Sequence, residues 1–461
     1  MGIGVSSWQL AAEVAGAGAL GVVSGTALDT VLVRRLQDGD PGGHVRRALA
    51  HFPAAAVAER VLERYFRPDG RAAGTPYALI PKLRLDQSRA WQELAVAASF
   101  VEVWLAKQGH SGPIGVNFLE KVQMATPTAA YGAMLAGADV VLMGAGIPRE
   151  IPRLLDALAE HRRVSLPIDV IGARAEDRFT VDLDPVDLLG TALPPLRRPT
   201  FLAIVSAHAL ADYLARDPLI RPDGFVVEGP PAGGHNAPPR GRLALDEDGQ
   251  PVYGPRDDAD TAKLAAIGLP FWLAGGYGTP DRLQAALAAG AAGVQVGTVF
   301  ALSRESGLRD DLRTALLDRL YGGTLRVRTD PSASPTGFPF KVAQLPGTLS
   351  EPEVYAARRR QCDLGYLRVP YLREGGTVGY RCSAEPVAAY VRKGGAEADT
   401  VGKACLCNAL TADIGLAQTR RSGYTEDPLV TLGADLDGAQ ELLKRFPDGW
   451  SAADVVGWLL G

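Results

Sequence analysis

Cysteine is scarce in this chain of 461 residues: there are four, Cys362, Cys382, Cys405 and Cys407, all within the last hundred positions. So few thiols, so late, exclude a disulfide-built scaffold, and reduced thiols are the expected state. An excess of charge of either sign is also missing. Lys and Arg total 48 against 52 Asp and Glu, for a net charge of -4, which gives no electrostatic footprint for nucleic acid or an anionic membrane surface. Long apolar runs are absent too. The stretch 10–33 is the most apolar, but Glu13 and Asp29 interrupt it and glycine recurs through it. No basic segment precedes it and no small-residue cleavage site follows, so neither a signal peptide nor the roughly 18-residue apolar run of a membrane span is expected. A soluble, cytoplasmic protein is the expectation. No internal repeat or low-complexity tail is present.

What the chain does have is alternation. Short β-branched runs ending in Gly or Ser alternate with Ala/Leu-rich segments of helical period, the pattern of parallel βα units. Eight candidate strands fall at 3–6, 20–24, 114–118, 140–143, 201–205, 224–228, 271–275 and 294–297. Helical segments are expected at 127–136, 151–161 and 280–289. The last has Thr279 placed to cap it, Pro280 in its first turn and Gly290 to end it. Eight strands with crossovers point to an α/β fold of the (β/α)₈ or TIM-barrel class over 1–308, with an open doubly wound sheet as the alternative. Three insertions interrupt the repeat: a mainly helical one at 27–107, a hairpin at 165–183, and a hairpin lid at 236–260 with an Asp248-Gly249 turn. Residues 309–461 form an appended mixed subdomain that is expected to cover the catalytic face.

Two glycine turns carry the strongest chemical signal. Ala274-Gly275-Gly276 closes the seventh candidate strand and leads into a helix, and Gly297-Thr298 closes the eighth. Exposed backbone N–H groups at such turns, aimed by a helix N-terminus, bind a phosphate without a charged side chain, and barrels place phosphate sites after these two strands. The plainer reading is that the glycines only permit tight turns. A second loop, Gly229-Pro230-Pro231-Ala232-Gly233-Gly234-His235, follows the sixth strand. It holds an imidazole on glycines at the catalytic face, where it can meet a ligand and titrate near neutrality. Asn117 ends the third strand, where an amide can hydrogen-bond a heterocycle edge or simply cap a loop. Met143-Gly144-Ala145-Gly146 makes a further close-approach turn. His208 follows the fifth strand; the remaining histidines read as packed or solvated.

Together, Gly115-Val116-Asn117-Phe118, Ala232-Gly233-Gly234-His235, Ala274-Gly275-Gly276 and Val294-Gln295-Val296-Gly297-Thr298 resemble the nitronate monooxygenase (2-nitropropane dioxygenase) family of FMN-dependent barrel enzymes over about two-thirds of the chain. The resemblance implies FMN, with its phosphate at Ala274, Gly275, Gly276, Gly297 and Thr298. It also implies contacts from Ser6, Ser7, Asn117, Gly234 and Gln295, and His235 as base or anion-orienting group. The implied reaction is oxidation of an alkyl nitronate, a small-molecule substrate, by flavin and O₂ to a carbonyl compound and nitrite. Flavin enoyl-thioester reductases of fatty-acid and polyketide synthesis share these motifs but use NAD(P)H. The segment 333–341 and the long C-terminal region resemble their synthase-associated members, for which an acyl carrier protein is the implied partner. A non-catalytic flavin-binding partner of a synthase is a third possibility. The cysteines have no zinc or cluster spacing, since only a C-x-C is present; buried thiols are expected, with metal or redox use as alternatives and no metal ligand assigned.

Overall fold

The computed structural model describes residues 2–461. Its centre is a curled parallel sheet of seven strands: β1 (Gly21–Ser24), β2 (Ile114–Leu119), β3 (Val140–Gly144), β6 (Thr200–Val205), β7 (Gly224–Glu228), β8 (Phe271–Ala274) and β9 (Gly293–Gln295), in that order. Between β3 and β6 the chain adds an antiparallel hairpin, β4 (Val164–Pro167) with β5 (Thr180–Leu183), as the alternation at 165–183 predicts. All six pairings in the main sheet are parallel, and helices connect the strands. This is the α/β barrel class expected from the sequence.

One of the eight expected strands is not there. The segment 3–6 is a turn, because Gly4 takes a φ of +62° and leaves the extended region. It still lies against the sheet. Ser24 N–H donates to Ser6 C=O at 2.9 Å, and Gly307 N–H donates to Val5 C=O at 2.8 Å. The turn thus bridges the β1 edge to chain that follows β9.

The pleat sorts residues between two layers. Val23, Val116, Val141, Met143, Phe201, Ala203, Phe225, Val227, Phe271 and Leu273 pack outward against the helices in one large core. Their alternates Leu142, Leu202, Ile204, Val226 and Ala274, joined by Val22, Val140 and Trp272, form a small separate core inside the curl. Both faces are buried, so the strands read as unbroken apolar runs in the sequence.

Between 27 and 107 the chain forms the helices Leu28–Gln37, His44–Leu49, Ala55–Tyr65 and Arg89–Ala106. The 236–260 insertion holds a short antiparallel pairing and no longer strands. Around its turn Leu245 bridges Pro251, with Asp246 N–H on Gln250 C=O at 2.9 Å and Val252 N–H on Ala244 C=O at 3.0 Å, and Leu243, Leu245 and Val252 are exposed. Beyond 309 the chain adds two hairpins: β10 (Val327–Asp330) with β11 (Phe340–Ala343), and β12 (Val369–Leu372) with β13 (Val378–Arg381). The first was hidden by Pro335, Gly337 and Pro339, which break any strand pattern. The four cysteines are free; Cys382, Cys405 and Cys407 are buried in one core with Tyr366 and Tyr380. Burial raises the Cys362 thiol to about 11.

Candidate functional site

The inward set of the pleat, followed to the C-terminal strand ends, decides which side chains face the mouth of the curl. On β2 it is Asn117, on β7 Glu228, on β8 Ala274 and on β9 Gln295. Glu228 is in register with Ala274, and Ala274 with Gln295. Asn117, Glu228 and Gln295 are half-buried; on β2 and β7 the strand centres beneath them are fully buried, while β9 is half-buried along its length. Glu228 is not among the positions the sequence motifs single out. The signal was available: counting by two from the outward Phe225 and Val227 places Val226 and Glu228 inside. Burial raises its carboxyl to about 7, the range of a general acid or base at neutral pH.

The His235 loop leaves β7 and crosses the mouth. Gly229 N–H donates to Ala274 C=O at 2.8 Å, so this loop and the glycine turn after β8 lie side by side. Gly275 has a φ of +89°, and a Cβ there would stand 2.9 Å from Gly229 O and 3.0 Å from Ala232 N. Glycine is therefore required at 275 by both conformation and packing. His235 Nε2 is 2.7 Å from Ser334 Oγ, and its ring meets Phe340 edge-on at 4.8 Å. Backbone bridges complete the contact, with Lys341 N–H on Gly234 C=O and Asn236 N–H on Pro339 C=O. Burial, with the Lys121 charge adding to it, lowers the imidazole to about 4. At neutral pH His235 is uncharged, so it is available as a base or a hydrogen-bonding group rather than as a cation. Lys121 supplies positive charge nearby; its ammonium sits over the Phe338 ring at 5.3 Å and 3.4 Å from Glu120.

The remaining predicted positions divide. Gly276 (φ +88°) follows Gly275 in the turn, and Thr279 caps the next helix, Pro280–Ala288. Gly297 differs from its neighbours. Its φ of -123° suits any residue, and a Cβ built on it meets nothing within 4 Å. Neither conformation nor protein packing demands glycine there, but a ligand filling the adjoining space would. Thr298 Oγ1 already accepts a hydrogen bond from Gly433 N–H at 2.9 Å. Ser6 and Ser7 use their hydroxyls locally. Ser6 Oγ donates to Val22 C=O, while Ser7 Oγ caps the helix Trp8–Gly16 and donates to Glu305 C=O. Gly234 (φ +82°) donates its N–H to Thr431 Oγ1 at 2.9 Å. His208 begins the helix His208–Arg216 and accepts from Asp260 N–H, a structural role.

The nitronate monooxygenase family model matches residues 195–330. A curated relative, (3aS,4S,5R,7aS)-5-hydroxy-7a-methyl-1-oxo-octahydro-1H-indene-4-carboxyl-CoA dehydrogenase of Rhodococcus jostii (strain RHA1), is 35% identical over 97 residues. That match covers 21% of this chain and 23% of the relative, so the likeness spans under a quarter of that protein. Among solved structures, nitroalkane oxidase from Streptomyces ansochromogenes is 16% identical with a TM-score of 0.48, covering 100% of this chain and 92% of that one. FabK from Thermotoga maritima is 15% identical with a TM-score of 0.47, covering 99% and 88%. The matched segment 195–330 carries the His235 loop and both glycine turns, so it is this part of the chain that is similar to the nitronate monooxygenase family.

Proposed function

We propose that this protein is an FMN-dependent oxidoreductase that oxidises an alkyl nitronate with O₂, giving a carbonyl compound and nitrite. The observation that carries the flavin is Gly297, a glycine with open space beside it that the fold itself does not require. The residues fit a phosphate: two left-handed glycines at 275 and 276, the space at 297, and the N-terminus of helix Pro280–Ala288 behind them. Ala274, Gly275, Gly276, Gly297 and Thr298 would hold the phosphate, and Asn117, Glu228 and Gln295 would line the ring. Bound FMN would supply the electron acceptor for the substrate and the electron donor for O₂.

The chain's own residues do the rest. His235, neutral and held by Ser334 Oγ, takes a proton or donates a hydrogen bond to the substrate's oxygens. Lys121 lends positive charge to an anionic substrate. Phe338 and Phe340, with the bridged loop 234–236, keep water from the reacting side. An absorption spectrum of the purified protein, followed by a nitrite assay with an alkyl nitronate, tests this. A protein without flavin absorbance, or with flavin but no nitrite, sinks it.

A second reading is an NAD(P)H-dependent reductase of an enoyl thioester, with the acyl group on a carrier protein or coenzyme. The Rhodococcus relative, whose name is that of a CoA-thioester dehydrogenase, favours it. Anaerobic NADPH separates the two: prompt bleaching of the flavin supports the reductase, whereas a flavin that ignores NADPH supports the nitronate reaction.

A further inference from the structure

The two glycine turns do not stand alone. A strap, residues 431–438, runs across them from the far end of the chain. Gly433 N–H donates to Thr298 Oγ1 and Ala434 N–H to Pro231 C=O, each at 2.9 Å. Thr431 Oγ1 receives Gly234 N–H beside His235. At its other end the strap is pressed to the turn so closely that a Cβ on Gly438 would lie 2.1 Å from Gly278 O.

One side chain pins this arrangement electrostatically. The Arg282 guanidinium donates to Gly276 C=O at 2.6 Å, to Asp437 at 2.7 Å and to Asp435. Asp435 Oδ2 is only 3.3 Å from where a Cβ on Gly276 would be, which places a carboxylate next to the turn. An unpaired carboxylate there would repel a phosphate, and Arg282 neutralises it. Arg282 also sits in the first turn of the helix that backs the phosphate position. It therefore joins three things: the turn, the helix and the strap.

We infer that the strap is a gate for cofactor exchange and that Arg282 is its latch, so that the flavin phosphate leaves only when the guanidinium lets go of Asp435 and Asp437. This rests on the reading that the turns hold a flavin phosphate. Arg282 is a positioning residue in this scheme and takes no part in the chemistry.

The test is the rate at which FMN fluorescence recovers when FMN-loaded protein is diluted, for wild type, Arg282→Ala, Arg282→Lys and the triple variant Arg282→Ala/Asp435→Asn/Asp437→Asn. Arg282→Ala is expected to release FMN at least tenfold faster, Arg282→Lys to fall between, and the triple variant to stay fast because the strap remains unlatched. Amide exchange of Gly433 and Ala434 should rise in Arg282→Ala while the sheet amides stay protected. That exchange readout works without cofactor and shows whether the variant is folded. Release from Arg282→Ala at the wild-type rate overturns the gate. A triple variant that returns to the wild-type rate also overturns it, since repulsion alone would then explain the effect. Wild-type protein that holds no FMN overturns the flavin reading and the gate together, whereas the first two outcomes leave the flavin reading intact.

Discussion

The mouth of the curl has two walls built on different principles. One is the strand wall, Asn117 on β2, Glu228 on β7 and Gln295 on β9, fixed by a period-two pleat and hydrogen-bonded rungs between neighbouring strands. The other is the loop wall, where His235 meets Ser334, Gly234 meets Thr431 and Thr298 meets Gly433, across separations of 99, 197 and 135 residues. The strand wall places groups by local geometry. The loop wall places them by long-range contacts. Burial acts on both walls: His235, covered by Phe340 and Ser334, is pushed down to about 4, while Glu228, inside the curl, is pushed up to about 7. Opposite shifts from the same cause, burial, leave both groups neutral near pH 6.

The contrast between a ligand space and a packing requirement can be broken most sharply at two glycines. Gly297→Val should fold normally, since nothing lies within 4 Å of its Cβ, yet lose FMN by roughly 100-fold or more in affinity, because the side chain fills the phosphate's place. Gly275→Val should instead unsettle the fold itself, by roughly 2 kcal/mol or more, through left-handed strain and its clash with the His235 loop. Flavin titration and thermal melts of the pair decide it; a Gly297→Val protein with full FMN occupancy would move the phosphate elsewhere.

Next in size is His235→Ala, expected to keep flavin but lower turnover by roughly 10²-fold, as for a positioned acid–base group. Unchanged turnover would remove the imidazole from the mechanism. Ser334→Ala sharpens the comparison by touching the loop wall only through His235. Turnover should fall by roughly tenfold or less, with the pH–rate profile displaced; a profile identical to wild type would leave Ser334 a purely structural partner.

The smallest effects are in the pH dependence of stability, and they have opposite signs. The folded pKa of His235 is depressed below 6.5, so its contribution to stability is present above pH 6.5 and is lost as pH falls towards 4. The folded pKa of Glu228 is raised, so its contribution is present below pH 4.5 and is lost as pH rises through 7. Removing each group in turn, as His235→Gln and Glu228→Gln, should flatten the acid and the neutral limb of the stability curve respectively. A curve with the same slopes in both variants would contradict the burial of these groups.

How much of this was legible in the sequence follows the same division. The seven strands, the capped helix Pro280–Ala288 and the glycine turns could be read because each is local: a β-branched run, a Thr279 cap, a Gly275-Gly276 pair. The first expected strand, 3–6, does not form because Gly4 takes a left-handed φ and folds the run into a turn. Glu228 was passed over because β7 is apolar on both faces, which masks the alternation that points its last residue inward. Ser334, Phe340 and the 431–438 strap were out of reach, since no local pattern tells a residue which loop a hundred positions away it will meet. The strand Phe340–Ala343 was additionally disguised by Pro339 at its entrance.

The separation between Thr298 and Gly433 also has a meaning in time. Synthesis runs from the N-terminus, so Thr298 emerges 135 residues before Gly433, the strap residue that bonds it, and the Gly275-Gly276 turn emerges earlier still. Throughout that interval a nascent chain carries a sheet whose glycine turns are uncovered. That face is therefore completed late, when distal sequence folds back on the barrel, and on the proposed flavin reading truncation of that distal sequence is expected to weaken FMN retention before it unsettles the sheet.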